Sequence, residues 1–160
     1  MLDPMMSIKH TLRRRDEKVE KLRRVPLFTA CTDDELALVA RNVDEHRVEA
    51  GRVLTRQGEV GREFFVIVEG TAEVRIGEQL VARLGPGDVV GELALLDRRC
   101  RTATVVAETP VVVLISGTRE FAELLAKAPN VTRKLMAGLA ARLRAVERTT
   151  GRPSDRTAAA

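Results

Sequence analysis

Gly91-Glu92-Leu93-Ala94-Leu95-Leu96, followed by Arg101-Thr102-Ala103-Thr104-Val105, places one carboxylate and one guanidinium on either side of a short apolar stretch. The first run opens on glycine and carries no β-branched residue, so it predicts a single short helical turn. The Thr-Ala-Thr-Val-Val run after it predicts a strand. The start of a helical turn presents unpaired backbone N–H groups, which suit an anion. Arginine adds a two-pronged donor matched to phosphate oxygens. A glutamate beside such a site needs a hydroxyl donor to face, and a ribose supplies one. Phosphate and sugar together point to a nucleotide.

Outward from this stretch, residues 45–116 form short segments rich in Val, Ile, Thr and Phe, punctuated by Gly51, Gly58, Gly61, Gly70, Gly77, Gly85 and Gly87. The spacing predicts strands over 46–49, 52–56, 63–69, 71–76, 79–84, 101–107 and 111–116. Gly85-Pro86-Gly87-Asp88 marks a turn between two of them. Short strands at this interval indicate a mostly β domain, a small barrel or a double-sheet roll. The flanking helices are legible too. Residues 7–24 read as a charged helix ended by Pro26. Thr32-Asp33-Asp34-Glu35 fits a capping box for a helix carrying Leu36, Leu38, Val39 and Ala40. Thr118 is placed as the N-cap of a helix over 119–128, with Pro129-Asn130 as its break. A last helix over 131–148 carries Val131, Leu135, Met136, Leu139, Leu143 and Val146 on one face, together with Thr132 and Arg142. The organisation expected is an N-terminal helix over 1–24, a domain over 25–148 that includes C-terminal helices over 118–148, and a disordered tail over 149–160.

Composition narrows the function. At 160 residues with 44% apolar content, the chain suffices for one domain with helical extensions. No stretch approaches the roughly 20 apolar residues that span a bilayer, and no apolar segment follows Arg13-Arg14-Arg15 as in a signal peptide. The compartment expected is the cytoplasm. Two cysteines, Cys31 and Cys100, make no disulfide framework, and two histidines leave too few ligands for a histidine-rich metal site. The net charge of +4 comes partly from basic residues that alternate with Asp16, Glu17 and Glu20, the pattern of a solvated helix face. Four aromatics, all phenylalanine, and no basic recognition helix make DNA an unlikely partner.

The chain resembles the cyclic nucleotide-binding domain family, which includes regulatory subunits of cAMP-dependent kinase, the bacterial catabolite activator and nucleotide-gated channels. The resemblance lies in Gly58-Glu59-Val60-Gly61, in Phe64-Phe65-Val66-Ile67-Val68-Glu69-Gly70, in Leu84-Gly85-Pro86-Gly87-Asp88, and in the two runs first quoted, which resemble the family's phosphate-binding cassette. It covers about residues 22–146. It implies an α+β, mostly β fold, a β-roll of the double-stranded β-helix or jelly-roll kind flanked by N-terminal and C-terminal helices, with the nucleotide, cAMP or alternatively cGMP, bound as a ligand and not as a cofactor beneath a C-terminal lid helix. It assigns the cyclic phosphate to Arg101, the ribose 2′-hydroxyl to Glu92, main-chain N–H groups to Leu93 and Ala94, and a phosphate contact to the Thr102 hydroxyl; Gly91 and Ala103 complete the matched set. Arg62, Val89-Val90 and Cys100 stand where the family usually has aspartate, an aromatic and proline.

Several readings stay open at this level. Arg101 is a phosphate ligand or half of a buried ion pair with Glu92. Glu92 is a ribose acceptor or only the acidic residue favoured at a helix start. Thr102 reaches phosphate and a guanine amino group, or serves β propensity. With no Trp or Tyr, the base must be covered by Leu135, Met136, Leu139 or Arg142. Arg142 stacks on the purine, or packs its stem with its head in solvent. The same helix face also suits a dimer seam. The expected function is a non-enzymatic cAMP sensor. It signals by moving its C-terminal helices, with output through an effector protein or self-association. A degenerate fold kept for protein interaction, or a cGMP-selective sensor, is the alternative.

Overall fold

The computed structural model describes residues 4–150, so residues 1–3 and most of the expected tail lie outside the described residues. The chain forms α1 (Pro4–Arg23), a 3-10 turn at Pro26–Phe28, and α2 (Asp33–Asn42). Eight strands follow: β1 (Asp44–Val48), β2 (Val53–Thr55), β3 (Glu63–Glu69), β4 (Ala72–Ile76), β5 (Gln79–Leu84), β6 (Val89–Val90), β7 (Thr104–Ala107) and β8 (Val111–Gly117). A short α3 (Glu92–Leu96) sits between β6 and β7, and α4 (Thr118–Lys127) and α5 (Pro129–Thr149) close the chain. The strands make two four-stranded antiparallel sheets, ordered β1-β8-β3-β6 and β2-β7-β4-β5. This is the expected β-roll with flanking helices.

β3 shows why the roll needs both layers. Phe64 and Val66 pack with Leu36, Val39, Leu114, Phe121 and Leu124 against the helices. Phe65 and Ile67 point the other way, into the roll, with Val90, Val105, Val111 and Val113. A strand buried on both faces reads as a continuous apolar run. The Phe64 and Phe121 rings, 4.7 Å between centroids, join sheet and α4.

The capping box at Thr32 and Glu35 forms as expected. Lys18 donates to the carbonyls of Ala40 and Val43, at 2.6 and 2.5 Å, and so closes the C-terminal end of α2 from α1. Otherwise α1 is mostly exposed, with Leu22 buried beneath it.

Several expectations need correction. Arg101, Thr102 and Ala103 are not strand; β7 begins at Thr104. The Arg101 backbone is instead tied to the 58–61 turn, its N–H donating to Glu59 at 2.8 Å and its carbonyl accepting from Gly58 at 2.9 Å. β6, too short to show a period, was not foreseen. Thr118 is the first residue of α4 and not its cap, because its hydroxyl is spent on the Arg62 carbonyl at 3.2 Å. The break expected at Pro129-Asn130 falls one residue earlier, at Ala128 between α4 and α5, and Pro129 and Asn130 themselves begin α5, since proline's missing N–H would be unpaired in a first turn anyway.

That first turn is capped from elsewhere. Glu35, only 6% exposed, accepts from the Asn130 main-chain N–H at 3.0 Å and from its side-chain amide at 2.6 Å. Burial works to raise the Glu35 pKa, but the hydrogen bonds from Asn130 and Thr32 outweigh it and leave the carboxyl below its usual range. A lowered folded pKa contributes stability that is present above the unfolded value of about 4.3 and lost as pH falls through the folded value. Glu35→Gln is expected to cost about 1.5–3 kcal/mol near neutral pH, the range for losing a hydrogen bond to a charged group. It should also flatten the acid limb of the stability curve. Chemical denaturation at pH 7 and below pH 4 checks both.

Candidate functional site

The site is assembled by the strand register around β6. Val90 lies opposite Phe65 and Val89 opposite Val66. The chain leaves the sheet at Gly91, which has φ +87° and caps α3. A β-carbon there would stand 1.9 Å from Arg101 Nη1 and 2.9 Å from the Glu63 carbonyl oxygen. Glycine is therefore required twice over, by the left-handed backbone and by the approach of the guanidinium. Gly61 is nearly as confined, its would-be β-carbon 2.6 Å from Ala94 Cβ and 2.8 Å from Arg101 Nε.

Into this gap Arg101 extends, 8% exposed. Its Nη1 donates to the Gly91 carbonyl at 3.0 Å and its Nη2 to the Glu63 carbonyl at 2.6 Å. Its Cζ lies 5.9 Å from the Phe65 ring centroid, a cation–π arrangement. Burial pulls the Arg101 pKa down, while the charges of Glu63 and Glu92 oppose the shift.

Glu92, 2% exposed, does not pair with Arg101. Its Oε1 meets Nη1 of Arg142, which reaches over from α5 to 2.5 Å. The N–H directions do not align, so Oε1 is buried without a hydrogen bond. A buried carboxylate oxygen lacking an aligned donor is an acceptor that calls for an explanation.

All seven residues expected at the site line one cavity, closed at its rim by Arg142. Gly91, Glu92, Leu93 and Ala94 enter from the start of α3, and Arg101, Thr102 and Ala103 from the loop before β7. Thr102 is exposed and Ala103 half-buried. The other walls include Thr55, Val74, Leu84, Val90 and Val105, strand positions without a chemical signature of their own. The Thr55 hydroxyl donates to the Ala103 carbonyl at 3.2 Å and steadies the loop. Of the four residues considered as covers, Leu135 is buried in the helical core, Met136 is 62% exposed and Leu139 is half-buried. Arg142 alone of these lines the cavity. Cys31 is half-buried, and burial together with the Glu35 charge pushes its pKa up to about 11.

Comparison with known proteins agrees with this geometry. Residues 45–128 match the family described as cyclic nucleotide-binding domain. A cAMP-dependent protein kinase regulatory subunit from Mycosarcoma maydis is 40% identical over 110 residues, covering 63% of this chain and 21% of that protein. The chain spans between 15% and 35% of the length of five curated relatives that it matches. Among solved structures, the regulatory domain of Toxoplasma gondii PKA with cAMP aligns at TM-score 0.69 and 26% identity, covering 84% of this chain and 52% of that one. The regulatory subunit of a cAMP-independent protein kinase A from Trypanosoma cruzi, bound to guanosine, aligns at TM-score 0.67 and 27% identity, covering 78% and 46%. The roll, the glycine-gated Arg101 and the matched segment together make this chain a member of the cyclic nucleotide-binding domain family.

Proposed function

We propose that the chain is a non-catalytic cyclic nucleotide sensor that takes cAMP in preference to cGMP. The observation that carries this reading is the cavity wall itself. It holds two nearly buried side chains of opposite charge, Glu92 and Arg101, that do not pair with each other. A buried charge held apart from its natural counter-ion is costly unless a ligand completes it. Arg101 offers further N–H donors to a cyclic phosphate, beside the main-chain N–H groups of Leu93 and Ala94 in the first turn of α3. Glu92 offers its carboxylate to a ribose hydroxyl. Thr102 adds a hydroxyl at the rim. Similar folds hold cAMP in one case and guanosine in another, so the nucleoside class is supported more broadly than the base.

The signal passes through α5. Met136, Leu143 and Val146 are exposed along it at 62%, 61% and 55%, a line suited to an effector protein or to a second copy in the cytoplasm.

A thermal-shift and calorimetric panel with cAMP, cGMP and 2′-deoxy-cAMP tests the reading. A ligand at a hundred times its dissociation constant adds about 2.7 kcal/mol to stability. The expected order is cAMP first, with the 2′-deoxy analogue weaker because it lacks the hydroxyl that faces Glu92. No stabilisation by any of the three would sink the proposal, and equal affinity for cAMP and its deoxy analogue would remove Glu92 from the sugar site.

A further inference from the structure

We propose that the exposed first half of α1 lies on an anionic phospholipid surface and so holds the nucleotide-binding domain at a membrane. The proposal does not depend on which nucleotide the roll takes.

α1 joins the domain only at its end. Leu22 is buried, Val19 packs against the helical core, and Lys18 closes α2. From Met5 to Glu17 every residue is exposed, a rod about 20 Å long at about 1.5 Å per residue. A helical stretch of that length without tertiary packing is marginal in water, so a surface that takes up its side chains stabilises it. Large apolar groups are there to be taken up: Met5, Met6, Ile8 and Leu12 are 62%, 66%, 58% and 51% exposed.

Charge selects the surface. From Pro4 to Arg15 the chain carries Lys9, Arg13, Arg14 and Arg15 and no carboxylate; the acids begin at Asp16. At about 100° per residue, Ile8, Leu12, Met5, Lys9, Arg13 and Met6 follow one another around about 160° of the helix. Cations and apolar side chains therefore share one face. A protein groove accepts such a face only by burying Lys9 and Arg13 against carboxylates of its own. An anionic bilayer surface accepts it as it stands. The acyl boundary takes the apolar groups and the long stems, and the charged heads reach the phosphates. The Arg13–Glu17 pair, at 3.2 Å, is exposed on both sides and holds Arg13 only weakly.

Other occupants fit less well. Pairing α1 with α1 of a second copy sets like charges together. α5, which also exposes an apolar line, carries Arg133, Lys134, Arg142, Arg144 and Arg148 against Glu147, and repels α1 in the same way. Nucleic acid answers the cations but leaves Ile8 and Leu12 uncovered.

Co-sedimentation of the full chain with vesicles tests this, using phosphatidylcholine alone and phosphatidylcholine with phosphatidylserine in equal parts. The anionic vesicles are expected to bind the chain at least about tenfold more tightly than the neutral ones. Replacing Lys9→Gln and Arg13→Gln together should weaken that binding about thirtyfold. Replacing Ile8→Gln and Leu12→Gln together should weaken it at least about tenfold. All four positions are exposed and glutamine is a good helix former, so folding is retained. Equal binding to both vesicle types, or none to either, would overturn the proposal. Wild-type binding by the Ile8/Leu12 variant would overturn it too, by reducing the contact to a bare attraction between charges. Binding of duplex DNA without binding of vesicles would make α1 a nucleic-acid contact instead. Self-association in sedimentation equilibrium that the Ile8/Leu12 variant abolishes, again without vesicle binding, would give the face to a second copy.

Discussion

Arg101→Ala is expected to weaken cAMP binding by about 2–5 kcal/mol, the range for truncating one partner of a buried charge contact. The guanidinium is held in an unusual way. It is 8% exposed, it rests on two main-chain carbonyls instead of a carboxylate, and burial draws its pKa down. The protein thus keeps a cation where solvation would disfavour it. Truncation removes two charge-assisted hydrogen bonds, each worth about 1.5–3 kcal/mol, but also removes the desolvated charge. The net loss of fold stability should therefore be smaller than the loss of affinity. Arg101→Lys keeps the charge but not the two-pronged geometry, and should fall between wild type and alanine. Calorimetry for binding and denaturant titration for stability separate the two quantities. Alanine binding like wild type would dismiss Arg101 as the phosphate ligand.

Gly91→Ala should reproduce much of that loss without touching a charge. The substitution forces a side chain into a left-handed backbone at φ +87°, which costs about 1–3 kcal/mol. It also sets a β-carbon 1.9 Å from Arg101 Nη1, so the guanidinium must leave. Gly51→Ala separates these effects, because Gly51 has φ +85° with nothing within 4 Å of the added atom. Both variants should lose a similar increment of stability to backbone strain, seen in thermal denaturation. Gly91→Ala alone should lose cAMP affinity, by an amount approaching that of Arg101→Ala. Equal affinity in the two glycine variants would show that the position of Arg101 does not depend on Gly91.

Much of this architecture could be read before any coordinates. The capping box at Thr32 and Glu35 is a local signal with a local result, and it forms. Six of the seven expected strands appear within two residues of their bounds, because period and turn chemistry act over short distances. The seven site residues reach one cavity because α3 and the loop before β7 are close in sequence as well as in space. The misreadings are of another kind. Thr102 has good strand propensity, but the Arg101 N–H donating to Glu59 and the Gly58 N–H donating to the Arg101 carbonyl hold the segment out of the sheet. Thr118 is a good cap by type, but its hydroxyl is drawn to a carbonyl on another segment. The apolar line of α5 read as one face divides in three dimensions into buried Val131 and Leu135 and exposed Met136, Leu143 and Val146.

Residue order therefore determined the β-roll, its turns and the meeting of Gly91, Glu92 and Arg101 at one cavity, since each follows from side-chain type and short spacing. It left open which charge answers which. Arg101 and Glu92 looked like natural partners, yet the folded chain gives Arg101 to two carbonyls and Glu92 to Arg142. That choice depends on how the glycine-lined gap and the angle of α5 bring distant segments together, and no local pattern encodes it. Where buried charges are concerned, the neighbour that packing supplies decides the partner.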